Sequence, residues 1–370
     1  MKIRNHIQTQ FVVPLFVLFL AACGTSEPPT PTPFPVDTSN GPFPVQIIVH
    51  TPKNLIDENI ISEFDELADV TVTERHYTTD ADLIASLENP RNEIHLVVAT
   101  NLAASTLLYQ QQLAPLNPAN IPNLRNIDVR FRNLSYDSGN QYCAPYAYGT
   151  IGMGYINGQG ITPTSWGDLF LLTPSSPAYG RTTLLNQPRE TLGAALIHLG
   201  YSPNTVNETE INQAKQFILQ NAGSINNLDS QSYGERLAMF ETSLAMGFSR
   251  EFLFNQEINP EINFASPQDS SLLQIYSLCI PARTLPDFKR AAEAFINLML
   301  DKEWAANSVF NIELPSTVPV DESQLAQDLR FNPLIYPDPD VLNRAQYLYA
   351  LGEADTFYTT AWEEITNAIR

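Results

Sequence analysis

The feature that most constrains the fold is an alternation of short β-branched segments with amphipathic helices, which begins at Val45. Val45 to His50 has the residue types of a strand, and Asp57 is placed to cap the helix that follows. The next strand signal covers Val70 to Arg75. Strands and helices that alternate in this way predict an α/β fold.

A third strand is predicted from Ile94 to Thr100, where a compact apolar run ends in small polar residues. Ligand-facing loops usually follow the carboxyl ends of parallel strands. Thr100 is therefore a candidate ligand contact.

Two further helices have clear start signals. Pro188 suits the first helical position after a cap at Gln187, and Gly200 is placed to end that helix. A second helix is expected to start near Asp287. The apolar residues of both helices recur at helical spacing, which predicts core packing and not a cofactor site.

Composition narrows the class of protein. The chain has 370 residues, of which 44% are hydrophobic and 16% charged, enough for two domains with buried cores. Forty acidic and 20 basic residues give a formal charge of −20, without a basic stripe for phosphates, so we expect no nucleic-acid partner. The acidic field would attract cations, although it would equally keep an exported protein soluble.

The N-terminus indicates export. Basic residues precede an apolar run from Phe11 to Leu20, which is too short for a mature membrane span but suits a signal-peptide core. The run ends in Leu20-Ala21-Ala22-Cys23, which matches the bacterial lipobox. We predict a signal peptide over residues 1–22, cleavage before Cys23 and a lipid on its thiol. A plain secretory signal beside a chance cysteine is the alternative.

Residues 23–44 are rich in Pro, Thr and Ser. This composition cannot bury apolar surface and favours extended polyproline conformations. We expect a semi-rigid tether between the membrane and the folded part.

The chain lacks recognisable catalytic motifs. Its five histidines show no paired metal spacing, and there is no phosphate-binding loop, dinucleotide-binding fingerprint or nucleophile elbow. We therefore expect a protein that is not an enzyme, with no catalytic residue, no metal and no cofactor.

Two cysteines remain in the mature chain besides Cys23, namely Cys143 and Cys279, and both lie in strand-like contexts. In an oxidising compartment they could form a disulfide. Two buried free thiols are equally compatible with the residues alone.

Several segments, taken in order, resemble the spermidine/putrescine-binding proteins of ABC importers. The similarity extends over nearly all of residues 45–370, and its main segments are Tyr142 to Gly152, Ser165 to Phe170, Pro188 to Glu190, Leu199 to Thr205, Ser277 to Pro281, Phe295 to Leu300 and Asn332 to Pro337. The resemblance implies a type II periplasmic-binding-protein fold, in which two α/β lobes are joined by two crossing strands and close on a ligand.

The same resemblance implies the lobe boundaries. Lobe 1 would comprise residues 45–143 and 279–327, and lobe 2 residues 144–278 and 328–370. The two hinge strands would be neighbours, which would bring Cys143 near Cys279, so the resemblance supports the hypothesis of a disulfide between them.

The family's ligand-contacting positions carry over residue by residue. The aromatic residues of the first ligand loop fall at Pro52 and Leu55, and the Ser and Tyr of the second fall at Thr100 and Leu102. The paired acids at the helix start become Gln187 and Glu190. Relative to the family, these substitutions remove aromatic residues from the walls of the ligand site and remove one of its acids.

Further along, an aromatic residue is kept as Phe248, Arg250 follows it, and the family's Trp-x-Asp becomes Gln274-Ile275-Tyr276. Losing an acid from a dry cleft lowers affinity about 100-fold, so tight spermidine binding in the family's manner is not expected. The predicted ligand contacts are Gln187, Glu190, Tyr276, Phe248, Gln274, Thr100, Arg250 and Pro52. Alternatively, Phe248 and Tyr276 pack a lobe, Arg250 points to solvent and Glu190 serves its helix N-terminus.

The sequence therefore predicts a monomeric, extracytoplasmic solute-binding lipoprotein of an ABC importer. It would capture a small polar or cationic solute of the polyamine-like class and deliver it to ABC permease subunits, while its lipid holds it on a bacterial membrane. The alternative is a transport-inactive sensor or scaffold lipoprotein of the same fold that binds a partner protein.

Overall fold

The computed structural model describes residues 41–321, 325 and 332–369. The predicted signal peptide, Cys23 and most of the predicted tether lie outside these residues. Within the described ranges, no helix combines the length and apolar character needed to cross a membrane.

The strands are short except for two long ones at the centre of the main sheet. Their bounds are β1 Gln46–Pro52, β2 Thr71–Tyr77, β3 Leu96–Thr100, β4 Leu113–Ala114, β5 Asn133–Leu134, β6 Asp137–Ser138, β7 Cys143–Ile156, β8 Thr182–Leu184, β9 Ile225–Leu228, β10 Leu244–Phe248, β11 Ile262–Ala265, β12 Leu272–Pro281 and β13 Gln346–Tyr347.

The helices lie between these strands and after them. Their bounds are α1 Glu58–Ala68, α2 Asp80–Glu88, α3 Asn101–Tyr109, α4 Gly167–Phe170, α5 Pro188–His198, α6 Glu208–Gln220, α7 Tyr233–Ala238, α8 Ser249–Asn255, α9 Pro286–Met299, α10 Lys302–Ile312, α11 Pro339–Arg344 and α12 Asp355–Ile369.

The predicted helix starts are confirmed. Asp57 caps α1, where its carboxylate accepts a hydrogen bond from the backbone N–H of Asn59 at 2.9 Å. Gln187 is the N-cap of α5, and Gly200, just beyond its end, has a φ of +82° that favours glycine. Helix α9 begins at Pro286, one residue before the predicted start.

The main sheet has the strand order β2-β1-β3-β12-β7-β10-β8-β9. Strands β1, β2 and β3 pair in parallel at one end, and β8, β9 and β10 pair in parallel at the other. Between these two parallel groups lie β12 and β7, which pair antiparallel with one another over most of the length of β12. The sheet therefore consists of two α/β halves joined by long strands.

Two main apolar cores flank this junction. One contains buried residues of β1, β3, α1, α9 and α10, and the other contains those of β10, α5, α6 and α12. Along β7 the change from the first core to the second falls between Tyr148 and Ile151, and along β12 it falls between Leu273 and Leu272. Both long strands therefore contribute to both cores.

A disulfide joins these two strands. Cys143 and Cys279 lie opposite one another in the β7–β12 ladder, with their Cα atoms 4.4 Å apart, and their sulfur atoms are bonded. Both residues are buried in a third apolar cluster with Val97 and Ala99 of β3. The bond closes a loop with a sequence separation of 136 residues.

We expect the Cys143→Ala/Cys279→Ala double variant to lose about 2–4 kcal/mol of unfolding free energy, because the bond restricts a long loop of the unfolded chain. Denaturant unfolding of the variant and of oxidised wild type measures the difference. Wild type unfolded under reducing conditions is the control and should match the variant. Two free thiols at these positions in the oxidised, denatured protein would contradict the prediction.

Candidate functional site

A cavity of about 610 Å³ lies where the two halves of the sheet meet. All the predicted ligand-contact residues line it, from both halves of the molecule: Pro52, Thr100, Gln187, Glu190, Phe248, Arg250, Gln274 and Tyr276. Leu102 lines it as well, whereas Leu55 is buried in the first core. The motifs that were aligned from the sequence therefore converge on one place in the fold.

The cavity also has lining residues that sequence reasoning missed. They include two acids, several aromatic residues and several neutral polar residues, namely Asp80, Glu251, Tyr77, Tyr233, Phe254, Thr78, Thr79, Asn186, Ser230 and Gln231. Arg189 also reaches the wall. Asp80 is the most consequential of these, because it restores a carboxylate that the family motifs had indicated to be lost.

Asp80 is the first residue of α2, shortly after the carboxyl end of β2. The Thr100 hydroxyl donates a hydrogen bond to its Oδ2 at 2.6 Å. Burial raises the pKa of Asp80 to about 6, although the bond from Thr100 acts in the opposite direction. No arginine or lysine forms an ion pair with Asp80 among the described residues. This carboxylate is therefore available to a cation in the cavity.

Glu190 lies in the first turn of α5, on the other half of the sheet. Its pKa is raised to about 7, mainly by burial and in part by the Asp80 carboxylate, while a hydrogen bond from its own backbone N–H and the charge of Arg189 oppose the rise. The Asp80 carboxylate is therefore close enough to affect the ionisation of Glu190. A cation placed between them would relieve both their desolvation and their repulsion.

Five of the described residues in the cavity wall are aromatic. Tyr77 and Tyr276 come from the first half of the sheet and its crossing strand, and Tyr233, Phe248 and Phe254 come from the second. Tyr233 is fixed by a hydrogen bond that its hydroxyl accepts from the backbone N–H of Phe248 at 3.1 Å. Such rings can cover methylene groups and interact with a cation through their faces.

Neutral polar groups complete the lining. The Tyr276 hydroxyl donates to Oε1 of Gln274 at 3.0 Å, and burial raises the pKa of Tyr276 to about 12. The Oε1 atom of Gln187 is buried and has no hydrogen-bond partner among the described residues. It can accept a hydrogen bond from a bound ligand.

Both arginines of the cavity wall already have protein partners. Arg189 is 5% exposed and donates to Asp355, to the Tyr349 carbonyl and to Asn204, which fastens α5 to the C-terminal part of the chain. Arg250 donates a hydrogen bond from Nε to the Ile312 carbonyl at 2.6 Å. Its side chain is therefore bonded to the protein and does not simply point to solvent.

A capping signal in the sequence could have located Asp80. Thr79 and Asp82 form a reciprocal capping box at the start of α2, and a T-x-x-D pattern shortly after a strand predicts that arrangement. The first residue inside such a helix lies at the carboxyl end of the strand, where ligands bind in parallel sheets. The approach of Asp80 to Thr100 depends on tertiary structure.

Comparison with known proteins adds to this geometry. Residues 59–328 match the family model described as bacterial extracellular solute-binding protein. The chain belongs to this family. Its members bind solutes outside the cytoplasm, so this solute-binding protein is extracytoplasmic and is not an enzyme.

Curated relatives cover most of the chain. Spermidine/putrescine-binding periplasmic protein 1 of Haemophilus influenzae is 23% identical over 327 residues, which are 87% of this solute-binding protein and 89% of the relative. The putrescine/cadaverine-binding protein of Pseudomonas aeruginosa is 26% identical over 258 residues, which are 66% of this chain and 72% of that relative. The resemblance predicted from the motifs is confirmed.

Solved structures confirm the predicted fold class. The spermidine/putrescine ABC transporter substrate-binding protein PotD from Streptococcus pneumoniae superposes with a TM-score of 0.79 at 20% identity, covering 88% of this chain and 100% of that one. A lipoprotein of Treponema pallidum gives 0.75 at 24% identity, covering 86% and 99%. This solute-binding protein therefore has the α/β type II periplasmic-binding-protein fold, with its cavity between two lobes.

Proposed function

We propose that this chain is the lipid-anchored receptor of an ABC importer for small amines of the polyamine-like class. The observation that carries the proposal is the pair of carboxylates, Asp80 and Glu190, which line one aromatic-lined cavity from different halves of the molecule and form no ion pair with an arginine or lysine among the described residues. The two curated relatives, which are binding proteins for spermidine and putrescine and for putrescine and cadaverine, support the same ligand class.

The proposed mechanism is closure on the ligand. An ammonium group that contacts Asp80 on one lobe and Glu190 on the other would stabilise the closed arrangement relative to an open one. Gln187 Oε1 would accept one of its hydrogen bonds, and the tyrosine and phenylalanine rings would cover the attached methylene groups. We propose Thr100 as a positioning residue, because its hydroxyl orients Asp80.

The lobe boundaries are part of the proposal. Residues 45–143 with 279–327 would form one lobe, residues 144–278 with 328–370 the other, and the crossing strands β7 and β12 would act as the hinge. The change of apolar core along both strands supports a hinge in this region. The Cys143–Cys279 bond would hold the two strands together during the motion.

We further propose that Cys23 carries the membrane anchor and that residues 23–44 form the tether. The lipobox ending at Cys23 and the Pro-rich composition behind it support this assignment. The receptor would act as a monomer and deliver its ligand to permease subunits.

A thermal-shift screen tests the ligand class. We expect putrescine or a related primary amine, at about 100 times its dissociation constant, to raise the melting temperature by about 5 °C. Amino acids, sugars and phosphonates should leave it unchanged. If no amine stabilises the purified protein, the amine receptor is contradicted, and the sensor or scaffold alternative becomes the better account.

A further inference from the structure

The charged side chains are distributed unevenly along the cavity. A ligand whose ammonium group binds Asp80 and Glu190 would therefore meet a different charge at its other end. The Asp80 carboxylate affects Glu190, and the nearby Arg189 donates its hydrogen bonds to protein acceptors. Arg250 acts instead on Glu251, and both of these residues line the same cavity. Arg250 forms no ion pair with Asp80 or Glu190 among the described residues and is bonded instead to two backbone carbonyls, so the cavity has an acidic end and an arginine end.

Tyr276 lies near both groups, the acid and the guanidinium, and in the β12–β3 ladder it pairs with Thr100, the hydrogen-bond partner of Asp80. It is within electrostatic range of both Asp80 and Arg250, whose charges have opposite effects on its pKa. A ligand that extends along this ring from the acidic end would therefore approach the guanidinium with its other end.

Arg250 is held firmly at its end. Its Nε donates to the Ile312 carbonyl at 2.6 Å, its Nη2 donates to the Asn54 carbonyl at 2.8 Å, and its guanidinium lies 4.5 Å from the centre of the Phe254 ring. These contacts leave Nη1 without a protein hydrogen-bond partner in the described part of the chain. Its N–H groups remain available to an acceptor on a ligand.

Glu251, the acid next to Arg250 in the sequence, is partly satisfied by the protein. Its Oε1 accepts a hydrogen bond from Nδ2 of Asn255 at 3.1 Å, and although burial raises its pKa, the charge of Arg250 acts in the opposite direction. A second ammonium group at this end would meet a fixed guanidinium beside the Glu251 carboxylate, and these two opposite charges together offer it no net attraction. Like charges at close range in a partly desolvated site disfavour binding.

We propose that the site selects an amine with a single cationic end, held by Asp80 and Glu190, and an uncharged far end that accepts a hydrogen bond from Arg250. The amide carbonyl of an N-acylated diamine has this chemistry, whereas free diamines and polyamines do not. The inference rests on the proposed amine receptor and specifies which amines it prefers. Arg250 is thereby a specificity-determining residue.

Calorimetric titration of the purified wild-type protein at pH 8 tests the preference. N-acetylputrescine and putrescine share one ammonium end and differ at the other, so their affinities isolate the arginine end of the cavity. We expect N-acetylputrescine to bind at least about tenfold more tightly. Equal or tighter binding of putrescine overturns the inference but leaves the amine receptor intact, whereas binding of neither compound, nor of spermidine, overturns the receptor itself.

The Arg250→Met variant tests the residue. It should lower the ratio of the two affinities by about tenfold, because the second ammonium of putrescine no longer meets a guanidinium. Arg181→Met is a matched control, since Arg181 belongs to the same half of the sheet and also donates to a backbone carbonyl, that of Phe240. An unchanged ratio in folded Arg250→Met contradicts the role of Arg250. If that variant does not fold, the wild-type ratio still decides the preference.

Discussion

Replacing both cavity acids, as Asp80→Asn with Glu190→Gln, is expected to reduce amine affinity by about 1000-fold, and either change alone by about 100-fold. Each carboxylate offers a charge-assisted hydrogen bond in a partly desolvated cavity, and losing such a partner costs a few kcal/mol. The amides keep the size of the side chains, and the amide oxygen introduced by Asp80→Asn can still accept a hydrogen bond from Thr100. Calorimetric titration at pH 8 measures the effect.

Glu88→Gln is the matched control for these changes, because Glu88 lies on the same helix as Asp80 but is exposed. It removes the same charge from the chain without reaching the cavity, so amine affinity should stay within about twofold. An equal loss in the control would mean that the overall charge of −20, and not the two cavity carboxylates, attracts the ligand. Unchanged affinity in the double variant would contradict the proposed site.

Amine binding should also depend strongly on pH. The pKa of Asp80 is raised to about 6 and that of Glu190 to about 7, mainly by burial, so both carboxyl groups are largely neutral at pH 5 and ionised at pH 8. Primary amines stay charged over this range, since their pKa is about 10. Affinity should therefore rise by about 100-fold or more between pH 5 and pH 8 and then level off.

The neighbouring groups do not reverse this expectation. Burial also raises the pKa of Glu251, which shifts its ionisation in the same direction, and the raised pKa values of Tyr77 and Tyr276 keep both phenols neutral. In the double variant Asp80→Asn/Glu190→Gln, most of the pH dependence should disappear. A flat affinity profile in the wild type would contradict the assignment of the ligand's cationic end to these acids.

The same pKa shifts affect the stability of the unliganded protein. The ordinary values of 3.8 for Asp80 and 4.5 for Glu190 apply to the unfolded chain, so between about pH 4 and pH 7 the folded state binds more protons. The contribution of these residues is therefore fully present at low pH and is lost as the pH rises through the folded values. Bound amine offsets that loss.

Local sequence signals predicted much of the fold. Asp57 and Gln187 are confirmed as the N-cap positions of α1 and α5, because a helix start depends on nearby residues: the Asp57 side chain bonds to the first turn of α1, and Pro188 suits the first position of α5. The pairing of β7 with β12 joins residues far apart in sequence, and no periodicity specifies it. Only the resemblance to a known family placed Cys143 beside Cys279.

The candidate site was predictable only in part, because it also combines residues that are far apart in the sequence. Motif alignment identified Glu190 and Tyr276. Because it considered only the ligand positions of the family, it indicated a site with fewer acids and aromatic residues than the cavity has. The structure supplies an acid and aromatic rings from other elements, with Asp80 at the start of α2 and Tyr233 at the start of α7. Which side chains reach a shared cavity depends on the order of the strands in the sheet. An alignment of single sequence positions does not specify that order.

A crystal structure of the protein grown with N-acetylputrescine or putrescine tests the central claim most directly. The account predicts an ammonium nitrogen within hydrogen-bonding distance, about 2.7–3.2 Å, of the carboxylates of both Asp80 and Glu190. Ligand density elsewhere in the cleft, or an ammonium group that contacts neither carboxylate, would contradict it.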